Sequence, residues 1–309
     1  MAWQLYQGDA LETLKQMEDE SINCCVTSPP YWGLRDYGVD GQLGIEETPE
    51  EYVSKMVEVF REVKRVLRKD GTLWLNLGDS YYNYRPGKGQ ALVKQTVSKT
   101  KQDLPNTYPR RGNKLVGLKE KDLVGIPWMV AFALRADGWY LRSDIIWAKP
   151  NPLPESVTDR PTKAHEYIFL LTKKQKYFYD AEAIKEPSNW DGKSGNKNYR
   201  GYEGREGATM NTLNRFNGAR NKRTVWTVST QPYPEAHFAT FPPKLIVPCI
   251  LAGCPEGGLV LDPFAGAGTT LYVAEQLGRN SIGIELNPDY CDIIRRRMAG
   301  LEMNLFLAK

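Results

Sequence analysis

Gly258-Leu259-Val260-Leu261-Asp262-Pro263-Phe264-Ala265-Gly266-Ala267-Gly268-Thr269-Thr270 is the stretch on which the architecture turns. Its opening apolar run suits a buried strand, residues 269–277 continue as a helix that Gly278 stops, and two glycines occupy the turn between them. Lacking a Cβ, Gly266 and Gly268 let backbone approach a ligand closely. Asn280-Ser281-Ile282-Gly283-Ile284-Glu285 reads as the next strand. Its terminal acid stands about twenty residues beyond the glycines, where a carboxylate accepts from both hydroxyls of a ribose. Asn287-Pro288 then opens a helix, with Asn as N-cap and Pro at the first helical position. A dinucleotide fingerprint would place a third glycine three residues after the second, and Leu271 stands there. The unit therefore favours a nucleoside without a pyrophosphate over nicotinamide or flavin.

The alternation continues upstream. Thr48-Pro49-Glu50-Glu51 is a capping box, and Tyr52, Val53, Met56, Val57, Phe60, Val63, Val66 and Leu67 mark one face of a helix that Gly71 is expected to end. Residues 72–79 read as a buried strand, 123–136 as a helix, and 139–149 and 165–172 as two more strands. Helices alternating with strands through short turns predict an α/β fold with a doubly wound, mostly parallel sheet. A chain of 309 residues holds one such core with insertions. Five cysteines without a Cys-x-x-Cys pair, and no apparent signal peptide, suggest reduced thiols in the cytoplasm. Two histidines argue against a histidine-rich metal site, and no metal is expected. No apolar run approaches transmembrane length, so no membrane partner is expected.

A second motif, Thr27-Ser28-Pro29-Pro30-Tyr31, follows the apolar run Ser21-Ile22-Asn23-Cys24-Cys25-Val26. The loop thus falls at the carboxyl end of a strand, the edge where open α/β sheets bind ligands. A Pro pair alone also suits an ordinary loop. This loop resembles the catalytic loop of the amino-methylating DNA methyltransferases, which modify the exocyclic nitrogen of cytosine or adenine. The string from Asp262 to Thr270 resembles their S-adenosylmethionine loop. Catalytic loop first and cofactor loop last is the order of the permuted beta group, so the resemblance covers most of the chain. Trp3-Gln4-Leu5-Tyr6-Gln7-Gly8-Asp9-Ala10 resembles the opening strand of that family, whose acid, here Asp9, contacts the adenine amine. His237-Phe238-Ala239-Thr240-Phe241-Pro242-Pro243 resembles its segment against the methionine part.

The resemblance implies a Rossmann-like methyltransferase fold, S-adenosylmethionine as cofactor and double-stranded DNA as partner. It makes Ser28, Pro29, Pro30 and Tyr31 the expected catalytic residues. The expected cofactor residues are Asp9, Ala10, Ser28, Phe241, Asp262, Pro263, Phe264, Ala265, Gly266, Gly268, Thr269, Thr270, Glu285 and Asn287. An exocyclic amine is a poor nucleophile until hydrogen bonds to fixed acceptors localise its lone pair. Proline has no N–H, so Pro29 and Pro30 offer carbonyls without competing donors, and Ser28 adds a hydroxyl. Tyr31 and Trp32 offer rings on which a flipped base stacks. In the family Ser at the head of this loop goes mainly with N4-cytosine and Asp with N6-adenine, so cytosine is expected, with adenine the alternative. Trp147-Ala148-Lys149-Pro150-Asn151-Pro152 resembles a further motif lining the base pocket and equally suits a Pro-rich turn.

Charge is uneven. Against 41 basic and 37 acidic residues overall, residues 81–120 carry net +7, residues 185–223 net +5, and the rest about −8. Both basic segments are rich in Gly, Asn, Tyr and Pro and lack strand or helix periodicity. Phosphate binding explains such concentration on an otherwise acidic protein better than solvation alone. Residues 1–180 and 236–309 are expected to form the catalytic and cofactor-binding core, with 81–120 inserted as a basic clamp and 181–235 as the target-recognition region. Arg110, Arg111, Arg200, Arg205, Arg215, Arg220 and Arg223 are the candidate phosphate or guanine contacts.

Methylation at carbon five of cytosine needs a thiolate, and that family places it in a Pro-Cys pair; Pro248-Cys249 instead falls in an apolar stretch that reads as a core helix. A DNA-binding protein without catalysis has no use for both an acceptor loop and a cofactor loop, and a methyltransferase for RNA or small molecules has less use for two basic insertions. A cognate restriction endonuclease is a candidate partner, and both monomer and homodimer stay open.

Overall fold

The computed structural model describes residues 3–34, 38–82, 115, 117–188, 218–231 and 241–307. In chain order the elements are β1 (Trp3–Gln7), α1 (Ala10–Lys15), β2 (Ile22–Thr27), α2 (Pro49–Val66), β3 (Leu67–Leu77), α3 (Ile126–Ala136), β4 (Tyr140–Ala148) and β5 (His165–Thr172). After a 3-10 turn come β6 (Glu186–Pro187), β7 (Ala219–Arg220), β8 (Val225–Thr227), α4 (Pro243–Gly253), β9 (Leu259–Asp262), α5 (Thr269–Gln276), β10 (Asn280–Glu285) and α6 (Pro288–Leu307).

The main sheet has the order β1-β10-β9-β2-β3-β5-β4-β8. Every neighbouring pair is parallel except β3 with β5 and β5 with β4, so β5 alone runs against the rest. Both faces are covered, as a parallel sheet requires. Because successive side chains point to opposite faces, Cys25, Leu73 and Leu75 pack into one core with α2 and α3, while Cys24, Val26 and Trp74 pack into another with α4. This is the doubly wound α/β architecture expected from the alternating pattern.

Local chemistry explains the boundaries. Thr48 Oγ1 accepts from Glu51 N–H at 3.1 Å and the Glu51 carboxylate accepts in return, completing the capping box of α2. The helix ends at Val66 and the strand begins at once, because Leu67 takes an extended conformation; Gly71, expected to end the helix, lies inside β3. Gly268 adopts φ 73° at the N-terminus of α5. A Cβ on Gly283 would come within 2.8 Å of Leu271. The close helix–strand approach that a third fingerprint glycine would permit from the helix is thus permitted here from the strand.

One expectation changes. β8, inside the 181–235 stretch, pairs with β4 as the edge strand of the main sheet, so that stretch contributes to the core. Arg110, Arg111, Arg200, Arg205, Arg215 and His237 lie outside the described residues, as does most of the expected clamp. Among the described residues no helix is long and apolar enough to cross a membrane.

Candidate active site and cofactor cradle

The carboxyl ends of β9, β10, β2 and β3 share one edge of the sheet, and the neighbouring β1 ends there too. β1 pairs with β10 in register, Gln7 opposite Glu285, which puts Asp9 beside the end of β10. Asp9 caps α1, its Oδ1 accepting from Glu12 N–H at 2.9 Å, and Ala10 is buried behind it. Glu285 is half-buried and accepts from Gly266 N–H at 2.8 Å on one oxygen and from Asn287 N–H at 2.9 Å on the other. Each oxygen keeps a lone pair for a further donor. Burial raises its pKa to about 7, against the pull of these two N–H groups. Asn287 Oδ1 accepts from Asp289 N–H at 2.9 Å, as an N-cap does.

Asp262 sits differently from what was expected of it. It is 1 % exposed, and its carboxylate accepts from Thr27 Oγ1 at 2.6 Å, from Thr270 Oγ1 at 2.6 Å and from Phe264 N–H at 3.1 Å. Desolvation lifts its pKa to about 6 despite those donors. Thr270 is fully buried and Pro263 is buried. These residues shape the loop from behind and do not present a surface to a ligand. Thr269 Oγ1 accepts from Arg297 at 3.1 Å. Phe264 and Gly266 are half-buried and Ala265 buried, and a Cβ on Gly266 would meet nothing nearer than the Phe264 carbonyl at 3.9 Å. Phe241 is half-buried against the α4 core.

Next to this cradle, the loop after β2 carries Ser28, half-buried, and Pro29, buried. Among the described residues none donates to the Pro29 carbonyl. The Pro30 carbonyl, expected to face a substrate, instead accepts from Tyr52 Oη at 2.8 Å and fastens the loop to α2. Trp32, expected as a stacking ring, is 1 % exposed and donates through Nε1 to the Glu46 carbonyl at 3.0 Å; it belongs to the core. Tyr31 is held at both ends. Its ring lies on Gly78, where a Cβ would come within 2.5 Å, and its hydroxyl donates to Glu166 Oε2 at 2.7 Å.

Glu166 and Asn76 were not anticipated. Asn76 ends the apolar run of β3 and donates through Nδ2 to the Tyr167 carbonyl at 3.0 Å and toward Glu166 Oε2 at 3.3 Å. Glu166 is near the start of β5, whose reversed direction brings its first residues to the same edge, and its other oxygen forms an ion pair with Lys149. A polar residue in an apolar strand was the available signal for Asn76. For Glu166 none existed without the strand order. The five cysteines are buried, and burial raises the Cys249 thiol far from ionisation, so no thiolate stands at this edge. Arg220 and Arg223, expected to meet DNA, both place Nε on Glu186 Oε1, at 2.9 and 2.5 Å.

A glycine turn and a half-buried acid at the carboxyl edge of an α/β sheet, beside a proline-rich loop, suit a nucleoside-dependent transferase. The DNA methylase family, which comprises N6- and N4-methyltransferases, matches residues 22–296. The type II methyltransferase M.Cfr9I of Citrobacter freundii is 48% identical, covering 97% of this chain and 89% of its own. M.SmaI of Serratia marcescens is 47% identical, covering 94% and 89%. Among solved structures, the PvuII cytosine-N4-specific DNA methyltransferase superposes with TM-score 0.64 at 20% identity, over 96% of this chain and 86% of its own. TTHA0409 of Thermus thermophilus, complexed with S-adenosyl-L-methionine, gives 0.59 at 25% identity, over 96% and 93%. The chain belongs to the DNA methylase family: it is a DNA methyltransferase of the N6/N4 class, with S-adenosylmethionine as its cofactor.

Proposed function

We propose that the chain is a site-specific, type II enzyme that methylates the N4 amine of a cytosine turned out of duplex DNA. The observation that carries the choice of cytosine is Ser28: the acceptor loop is headed by a neutral, half-buried hydroxyl where the adenine-directed pattern has a carboxylate. The type II assignment rests on the two relatives at 47–48% identity, and it makes an endonuclease that cuts the same sequence the expected biological partner.

The cradle suits the cofactor. Glu285 has lone pairs free for two ribose hydroxyls, Asp9 stands beside it for the adenine amine, and the bare backbone at Gly266 leaves room for close approach. Ala10, Phe241, Phe264, Ala265, Gly268, Thr269 and Asn287 complete the walls, with Asp262, Pro263 and Thr270 holding the loop from behind. When bound, S-adenosylmethionine supplies a methyl group on an electron-poor sulfonium. The protein's own residues then do two things. Ser28 Oγ and the Pro29 carbonyl accept from the two amine N–H groups and localise the nitrogen lone pair. The rigid edge holds that nitrogen at the cofactor side of the loop, so catalysis is mainly positioning and electrostatic preorganisation.

Incubating the protein with unmethylated duplex DNA and S-adenosylmethionine, digesting to nucleosides and weighing the products tests this. N4-methylcytosine is the expected product. N6-methyladenine would overturn the cytosine assignment while keeping the family chemistry, and no methylated base would overturn the reading of the site.

A further inference from the structure

We infer that Glu166 is a positioning residue for methyl transfer: acting through Tyr31, its carboxylate orients the Ser28 hydroxyl so that Oγ presents lone pairs to the target amine. The inference rests on the reading of Ser28 given above and extends it to a residue on a different strand. It starts from a proton count. Tyr31 Oη has a single hydrogen and two neighbouring acceptors, Glu166 Oε2 at 2.7 Å and Asn76 Oδ1 at 3.3 Å. The shorter contact to an ionised group is the stronger, so the hydrogen goes to Glu166. Tyr31 Oη then offers only lone pairs to its remaining neighbour, Ser28 Oγ at 3.4 Å. Ser28 must be the donor in that contact. With its hydrogen turned toward Tyr31, Ser28 Oγ keeps both lone pairs for other partners.

A serine hydroxyl is ambivalent, donor or acceptor by rotation. An amine whose lone pair must be exposed for attack needs acceptors, and a donor in the same place would bind that lone pair and block it. The chain from Ser28 through Tyr31 to Glu166 removes the ambiguity at no cost in reorganisation. Glu166 is itself fixed. Lys149 holds Oε1 and Asn76 Nδ2 supports Oε2, and the Lys149 and Glu166 side chains are only 18% and 15% exposed. Lys149 also lies 4.3 Å from the centre of the Trp147 ring, a core side chain. Lys163, Asp79 and His165 lie in the surrounding field, but none accepts the Tyr31 hydrogen.

The experiment compares the wild type with Glu166→Gln, Tyr31→Phe and the double variant on a duplex whose modified position has first been mapped with the wild-type enzyme. Phenylalanine keeps the ring on Gly78, and glutamine keeps the shape. Each single variant is expected to lower kcat roughly tenfold to hundredfold, the span of one hydrogen bond to a charged group. The double variant is expected to fall no further than the worse single one, because the links act in series. S-adenosylmethionine affinity in calorimetry should stay within about twofold, since neither Glu166 nor Tyr31 belongs to the cradle. A binding readout without turnover completes the test. The wild type should prefer the duplex carrying the target base over one whose target lacks the exocyclic amine, and both variants should lose that preference. Wild-type kcat in Glu166→Gln, additive losses in the double variant, or cofactor affinity and melting temperature falling in step with kcat would each overturn the inference. A wild type that methylates no base would overturn the reading of Ser28 and this inference with it.

Discussion

The two halves of the functional edge are built in opposite ways. The half proposed for the cofactor, between β1 and β9, is made largely of backbone: Gly266 and Gly268 shape a turn, and Glu285 is tied down by two main-chain N–H groups. The half proposed for the target base, from β2 to β4, is made of side chains from four separate segments, Ser28 and Tyr31, Asn76, Lys149 and Glu166. A backbone-built site is encoded by contiguous residues with special conformational freedom. A side-chain network is encoded by strand order, which brings together residues far apart in the chain.

The sharpest way to break this division is at the residue that joins the halves. Asp262 accepts from Thr27, which precedes Ser28, and from Thr270 at the head of α5. Asp262→Ala takes the acceptor from the buried Thr27 hydroxyl and leaves Thr270 Oγ1 only the Val26 carbonyl at 3.3 Å, and about 1–3 kcal/mol of stability should be lost. Both cofactor affinity and turnover should suffer, read by chemical denaturation, calorimetry and kinetics on the same preparation. Loss of only one of the two functions would show that the halves are independent.

Ser28→Ala should fall on the target side alone, with turnover down about a hundredfold and cofactor affinity within about twofold of wild type. Unaltered turnover would return the Ser-Pro-Pro-Tyr loop to an ordinary turn.

The cofactor side should in turn show its own pH dependence. Glu285 accepts from two ribose hydroxyls most strongly when ionised, and burial holds its pKa at about 7. Affinity for S-adenosylmethionine in calorimetry should therefore decline as pH falls through 7, by about tenfold near pH 6, and Glu285→Gln should flatten the profile. For stability the sign is opposite to that of a salt-bridged acid. The unfolded chain loses this proton first, near its ordinary value of 4.5, so Glu285 costs the fold increasing stability as pH rises from there to about 7.

The smallest effect should come from Cys249. Removing its buried sulfur in Cys249→Ala should cost roughly 1–2 kcal/mol and leave turnover unchanged. A lost activity with an intact fold would reopen thiolate chemistry.

Most of the fold was legible because the alternation of strand and helix repeats locally, and the cofactor turn because glycine and proline mark backbone geometry wherever they occur. What the reading missed has physical causes. Trp32 follows Tyr31 directly, yet the turn lays one ring on Gly78 at the sheet edge and buries the other in the core. Pro30 carries the same chemistry as Pro29, but Tyr52, one turn into α2, takes one lone pair of its carbonyl and fastens it to the helix. Glu166 is separated from Tyr31 by 135 positions, and only the reversed strand makes them neighbours. Arg220 and Arg223, read as candidate DNA contacts, share Glu186, which the short β6–β7 pairing sets opposite Arg220, a juxtaposition invisible along the chain.

The register that lays Trp3 against Ser281 and Gln7 against Glu285 also orders events on the ribosome. At a synthesis rate of about 5–20 residues per second, β1 waits on the order of tens of seconds for the strand it pairs with. The sheet from β2 through β5 has emerged long before then and has its own helices to bury against. The nascent chain should therefore acquire the side proposed to grip a base well before the side proposed to hold the methyl donor, and closing this long-range parallel pair should be the slow phase of refolding.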